Sequence, residues 1–307
     1  MKVRAVEIGA GLVLLVLLLF WFGRAYGLAQ LNLLFTYALA GLGVVIILGH
    51  AGQTVLGQGA FVALGAYAQA LLVATGLTPL LALPLAAGAG ALGGVLASLP
   101  AARLGGLYFG MSTFAFALLV EELLRRWESL TGGAAGLMVK GFSIAGWRLE
   151  QAGEQAAFSL LLLLGAIALC RRMLASALGR SWQAVREDEA AAAACGVDAV
   201  RAKIGAFALG GGVSGLAGGL YAHWIAYLSP EQFGLRLSFE LLILAFLGGV
   251  RRLGGVLWGA ALVVALPQAI ALLRDQLPGE WTRAAGFELF VFGAAVVAVV
   301  LLRRPPA

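Results

Sequence analysis

Ten apolar runs of 15–23 residues follow one another along this chain, separated by charges, prolines or glycine turns. They are Val6–Phe22, Leu28–Leu48, Val55–Thr75, Pro79–Leu99, Leu107–Leu124, Ala156–Cys170, Ile204–Ala226, Gln232–Val250, Leu253–Leu273 and Ala285–Leu302. A helix needs about 20 apolar residues to cross ~30 Å of hydrocarbon, so most of these runs have the length of a span. The sixth and eighth are short or polar-ended, which leaves eight to ten transmembrane helices. Of 307 residues, 62% are hydrophobic and 12% charged, more apolar side chain than a water-soluble domain of this size can bury. The expected fold is an all-α polytopic membrane protein, one transmembrane domain of about 10 helices over 1–307. Disorder, a secreted disulfide scaffold and a cytosolic enzyme are excluded.

The basic residues punctuate the gaps between runs. With a cytosolic N-terminus and ten spans, the C-terminus is cytosolic too, and the inner segments hold 13 of the 21 Lys and Arg residues. That asymmetry follows the positive-inside rule, and the outer set is spread over the longest loop, 125–155. The net charge of +6 forms no patch or stripe, so nucleic acid is not the expected partner. Lys2, Arg4 and the first run resemble a secretory signal, but Ala25-Tyr26-Gly27 is a poor cleavage site and nine spans follow. The first helix is therefore read as uncleaved. Cys170 and Cys195 lie in or beside a segment assigned to the cytosol, where a disulfide is not expected. His50 and His223 show no metal-ligand spacing.

Glycine contributes 44 residues, many inside the runs. Gly211, Gly215 and Gly219 repeat at four-residue spacing, as do Gly90 with Gly94 and Gly255 with Gly259. Such stripes let membrane helices approach closely where no hydrophobic effect drives them together. The stretch Gly49–Gly59 is different, with four glycines and the polar His50, Gln53, Thr54 and Gln58 between two apolar runs. It reads either as a broken helix at membrane depth, which requires protein or a wet cavity around it, or as a polar loop at the cytosolic interface.

Apart from Glu240, ninth of the 19 residues of Gln232–Val250, no Asp, Glu, Lys or Arg falls in the middle third of a predicted span. Glu7 and Glu288 are placed in first turns, within reach of the interface, and Glu121 and Glu122 close the fifth span beside Arg125 and Arg126. A midplane so nearly empty of ionisable groups argues against a proton relay. The chain has no phosphate-binding loop either, since Lys2, Lys140 and Lys203 are its only lysines and none follows a glycine. ATP, if used, is bound by a partner; no cofactor is expected here. The cytosolic segment 171–203 predicts one short helix, Trp182 to Cys195, ending at Gly196.

Five stretches carry a resemblance. They are Gly49-His50-Ala51-Gly52-Gln53 through Leu56-Gly57 to Gly65-Ala66-Tyr67; Gly106-Leu107-Tyr108-Phe109 with Thr113-Phe114-Ala115-Phe116; and Thr131-Gly132-Gly133 with Gly136-Leu137. The most specific runs from Gly179-Arg180 and Ala184-Val185-Arg186-Glu187-Asp188-Glu189 through Gly196-Val197 and Lys203 to Ser229-Pro230, and the last is Gly248-Gly249 with Gly255 and Gly259-Ala260. Together they resemble the membrane permease subunit of bacterial branched-chain amino acid ABC importers, of the LivM type. Gln58-Gly59 stands where that family commonly has His-Ala, Arg251 replaces a glycine and Val256 a proline.

The resemblance implies a bacterial inner-membrane permease that works with a second permease subunit, two cytosolic ATPase subunits and an external substrate-binding protein delivering a branched-chain amino acid (Leu, Ile or Val). It places ATPase coupling on Arg186, Glu187, Asp188, Glu189 and Gly196. The substrate path is expected at Gln53, Thr54 and Gln58, with Thr113 and Phe114, and binding-protein docking on 125–155. Permeases for urea, short amides or other small polar nutrients share these motifs. An ion-coupled carrier and a structural membrane protein are the readings from other classes.

Overall fold

The computed structural model describes residues 24–101, 106–144, 147–149 and 151–276, with Gly293. The first candidate span, and all of the last except Gly293, lie outside these residues, as do Glu7, Glu288 and Arg103. The helices are α1 (Arg24–Val44), α2 (Gln58–Ala74), α3 (Pro79–Ala101), α4 (Leu107–Arg126), α5 (Ala152–Ala175), α6 (Ala177–Glu187), α7 (Glu189–Ala194), α8 (Ala199–Ile225), α9 (Leu235–Gly248) and α10 (Gly255–Gln276). Four segments are long and apolar enough to cross a bilayer: Gly27–His50, Pro79–Pro100, Ala152–Ala175 and Ala199–Ile225. Gln58–Ala74 and Gly255–Gln268 are shorter apolar helices.

Several expected boundaries move. The sixth run, expected to be short, forms the 24-residue α5. The eighth is divided into a 3-10 turn, Pro230–Phe233, and the 14-residue α9. The helix expected from Val55 starts only at Gln58, and α1 ends in a π-helical turn, Val45–His50. The single helix expected over Trp182–Cys195 begins at Ala177 and breaks at Asp188, which is extended (φ −157°, ψ 113°). The Asp188 carboxylate accepts hydrogen bonds from the N–H groups of Ala190 and Ala191 and so starts α7 afresh. An aspartate at an N-cap outweighs the helix propensity of the alanines that follow it.

The connections alternate between two ends of the bundle. At one end Thr54 Oγ1 donates to the Gly106 carbonyl at 2.9 Å, and Arg186 Nη1 donates to the Gly49 carbonyl. Gly49 also lies against the Val250 carbonyl, where a Cβ would collide. At the other end Leu137 pairs antiparallel with Leu228, and His223 Nδ1 donates to the Lys140 carbonyl at 2.8 Å. Gln69 Nε2 donates there to the Pro79 carbonyl at 2.9 Å and to His223 Nε2.

α8 is the central element, packed on α1, α2 and α3. Its glycines set the distances. A Cβ on Gly211 would come within 2.5 Å of the Gly90 carbonyl oxygen, and one on Gly215 within 2.6 Å of that of Ala86. Gly219 is less confined, since its nearest neighbours are the side chains of Leu83 and Ala86 at 3.1 and 3.2 Å. Polar side chains supply further cohesion: Ser159 Oγ donates to Asn32 Oδ1 at 2.6 Å and accepts from Trp224 Nε1 at 3.1 Å, joining α5, α1 and α8. Gly215→Ala is therefore expected to destabilise the detergent-solubilised protein by about 1–3 kcal/mol, the usual cost of overpacking. Gly165→Ala, with nothing within 4 Å of the added methyl, is expected to leave stability unchanged or slightly raised. Fluorescence-detected melting compares the two.

Candidate functional site

The segment between α1 and α2 turns back into the bundle. The π-helical turn reaches the bundle end at Gly49, and Gly52, with φ +70°, reverses the chain in a conformation that favours glycine. Residues 52–57 then run non-helically along the first turns of α4. Thr54 meets Gly106, and the Leu56 N–H donates to Thr113 Oγ1 at 3.1 Å, while Thr113 Oγ1 donates to the Gly110 carbonyl at 2.8 Å. The segment arrives at Gln58, whose Nε2 donates to Ser214 Oγ at 2.5 Å. Ser214 lies in the middle of α8 and donates to the Ala40 carbonyl of α1 at 3.2 Å. The Gly59 N–H is taken by Ser238 Oγ of α9 at 2.9 Å. Gly49–Gly59 thus interrupts the helix, and side chains of α4 and α9 take the Leu56 and Gly59 N–H groups.

The expected path residues are brought together but are not all open. Thr54 is exposed and Phe114 half-buried, whereas Thr113 is fully buried. Gln53 is buried, with Nε2 bonded to the Ala51 carbonyl at 3.1 Å. Gln58 is 1% exposed, and its Oε1 has no partner among the described residues. Gln58, the first residue of α2, is thus buried where that helix meets α1 and α8. The approach is tight, since a Cβ on Gly43 would lie 2.7 Å from Gln58 Nε2 and would collide with Ser214 Oγ.

The helix pair α6 and α7, with an acidic run at its junction, contacts the same segment through Arg186. Glu187, Asp188 and Glu189 are exposed, and Gly196 turns the chain at φ +83° with open space around it. Arg186 points the other way, to the Gly49 carbonyl, with its stem against Gly52, where a Cβ would lie 2.5 Å from Arg186 Cγ. Partial burial, then the nearby Arg251, lowers its pKa from the usual arginine value, without discharging it at neutral pH. At the far side of the pair, Glu189 holds Lys203, 2% exposed, at 2.8 Å. Both the inward turn of Arg186 and the burial of Lys203 escape sequence reading, because each depends on a contact across the fold.

At the opposite end, the described residues of 127–149 form a small cap. A cavity of about 640 Å³ lies there between Val73, Thr78, Pro79, Lys140, Phe142 and Leu149. Among the described residues no group of His, Cys, Asp and Glu could hold a metal ion.

A helical bundle that keeps irregular polar backbone at mid-depth has the build of a membrane transport component. Residues 27–302 match the family described as the permease component of the branched-chain amino acid transport system, and the chain belongs to that family. It is 33% identical to the high-affinity branched-chain amino acid transport system permease protein LivM of Salmonella typhimurium and to that of Escherichia coli K12. Each alignment covers 78% of this chain and 61% of the relative, so the chain spans less than two thirds of those proteins' length. It is also 29% identical to the autoinducer 2 import system permease protein LsrC of Salmonella paratyphi B, over 46% of this chain and 38% of that one. No solved structure matches the chain.

Thr113→Val removes the acceptor of the Leu56 N–H while keeping the side chain's shape. It is expected to cost about 1–3 kcal/mol, the penalty for orphaning a buried donor, and to raise proteolytic cleavage within 51–57. Thr113→Ser is expected to retain most of the stability.

Proposed function

We propose that this chain is a membrane permease subunit of an ATP-driven importer that moves branched-chain amino acids across the bacterial inner membrane. A second permease completes the pathway, an external binding protein delivers the substrate, and two cytosolic ATPase subunits supply the energy. In this reading about ten helices span the membrane with both termini cytosolic. The end bearing Gly49, α6, α7 and the 249–254 turn faces the cytosol, and the 127–149 cap faces outward toward the binding protein.

The observation that carries the reading beyond family membership is the Arg186–Gly49 contact. It ties an exposed acidic helix pair, suited to docking another protein in a fixed register, to the irregular segment that blocks the bundle at Gln58. A partner that moves α6 thereby moves that segment. The similarity to LsrC supports a second cargo, another small polar nutrient, within the same mechanism.

A mild-detergent pull-down from native membranes, read by mass spectrometry, tests the assembly. Recovery of an ATPase, a second permease and a binding protein is expected, and the binding protein's ligand names the cargo. Recovery of the chain alone, under conditions that keep a known importer intact, contradicts it.

In the reconstituted complex, Arg186→Ala is expected to keep the ATPases bound and hydrolysing while transport per ATP falls about tenfold, in line with losing a charge-assisted hydrogen bond. Glu187→Lys combined with Asp188→Asn, which keeps a capping side chain at 188, is expected to uncouple hydrolysis from uptake without affecting membrane insertion. Normal uptake in that variant removes the docking role from this pair.

A further inference from the structure

Glu240, ninth of the 19 residues of Gln232–Val250, is the one charged residue near the middle of an apolar run. The packing of α9 on α1 fixes its depth. Tyr37 Oη donates to Glu240 Oε2 at 3.2 Å. Four residues further along each helix, a Cβ on Gly41 would collide with the Leu244 side chain, and toward the helix ends Gly49 meets Val250. The two helices therefore run parallel and in step, and Tyr37 sits near the middle of the apolar span Gly27–His50. Because α9 begins part-way through the bundle, after the 3-10 turn at Pro230–Phe233, its second turn carries Glu240 to mid-depth.

Arg236 accompanies it. Its Nε donates to Glu240 Oε1 at 2.9 Å, and the Arg236 side chain is 84% exposed against 22% for Glu240. An ion pair on the outer face of a membrane helix at this depth is strongly disfavoured against lipid; charged residues within spans face a water-filled cavity, a partner or one another. Tyr37 holds Glu240 from the protein side, and among the described residues no acceptor occupies the Arg236 Nη groups. Tyr221 lies within electrostatic reach of Glu240 and packs edge-on against Phe233, with ring centroids 5.7 Å apart. Tyr67 meets the same ring at 6.1 Å.

We propose that Arg236 and Glu240 form a zwitterion-binding site on the translocation path, a deepening that rests on the importer reading above. The planar guanidinium fork matches an α-carboxylate, and the Glu240 carboxylate takes the α-ammonium. Of the neighbouring aromatic rings, Phe233 and Tyr67 are buried and Tyr221 is half-buried, so Tyr221, backed by the other two, is the ring that meets an aliphatic side chain. A passing amino acid exchanges one internal ion pair for two of its own, so no charge is left bare at mid-depth before or after it.

The test uses the full complex in proteoliposomes with saturating loaded binding protein. Arg236→Ala and Glu240→Gln are expected to preserve subunit assembly and basal ATP hydrolysis. Transport per ATP is expected to fall about tenfold, as for a lost charge-assisted contact, with partial rescue by Arg236→Lys. Loss of the second permease from the variant complexes would make the pair a subunit contact and overturn the site. Unchanged transport, or equal loss in Arg236→Lys and Arg236→Ala, would overturn it as well. A wild-type complex that transports a small nutrient lacking either the carboxylate or the ammonium would overturn the amino acid cargo, and this site with it. That outcome is separable because the variants are not needed to see it.

Discussion

Backbone groups inside a membrane protein must find partners without water, and the seven residues between the α1 turn and α2 cannot meet that demand by themselves. Their neighbours supply several of the missing bonds. The Ala51 and Gln53 N–H groups reach back to the Ile46 and Ile47 carbonyls, both at 3.1 Å. Thr113 of α4 takes Leu56, Ser238 of α9 takes Gly59, and Arg186 of α6 covers the Gly49 carbonyl. Four helices and the turn after α9 are thus positioned by one short irregular segment. Its glycines are needed because each sits where a side chain would displace one of those neighbours: Gly57 against the Thr113 carbonyl, Gly49 against Val250 and Gly59 against Phe233.

Packing and function meet in the same residues. The close approach of α8 to α2 and α3 through Gly65, Gly90, Gly211 and Gly215 brings Ser214 near enough to bond Gln58. In the proposed mechanism that bond closes the bundle at mid-depth, and displacement of the 51–57 segment opens it. Arg186 offers a handle for such a displacement from the bundle end. The Glu189–Lys203 pair ties α7 to the base of α8.

Much of this was legible in the sequence, for physical reasons that differ from site to site. Apolar runs of span length and glycines at four-residue spacing report directly on membrane helices and on their contacts, and the glycine-rich polar stretch at 49–59 announced irregular backbone. The Asp188 break was hidden by five alanines whose propensity favours one continuous helix, although an aspartate ahead of such a run is itself an N-cap signal. The depth of Glu240 was legible in its place as ninth of the 19 residues of Gln232–Val250, but the point where its helix begins was not. A 19-residue run looks like a full span, and only the 3-10 turn at Pro230–Phe233 and the register with α1 show that α9 starts inside the bundle. Gln53, Thr54, Gln58 and Thr113 were recognisable as polar residues in the right place, but their roles separate only in three dimensions, where Thr54 faces out and Gln58 closes the core.

The central claim is that the segment 51–57 is a movable barrier rather than a fixed part of the core. Single cysteines at 54 and 58, in a chain with the exposed Cys195 and buried Cys170 replaced, can be labelled with a membrane-impermeant thiol reagent in the assembled complex. In the resting state position 54 should react and position 58 should be protected, and trapping the ATPases in their nucleotide-bound state should expose position 58. Equal protection of position 58 in both states, with the complex intact, would contradict the account.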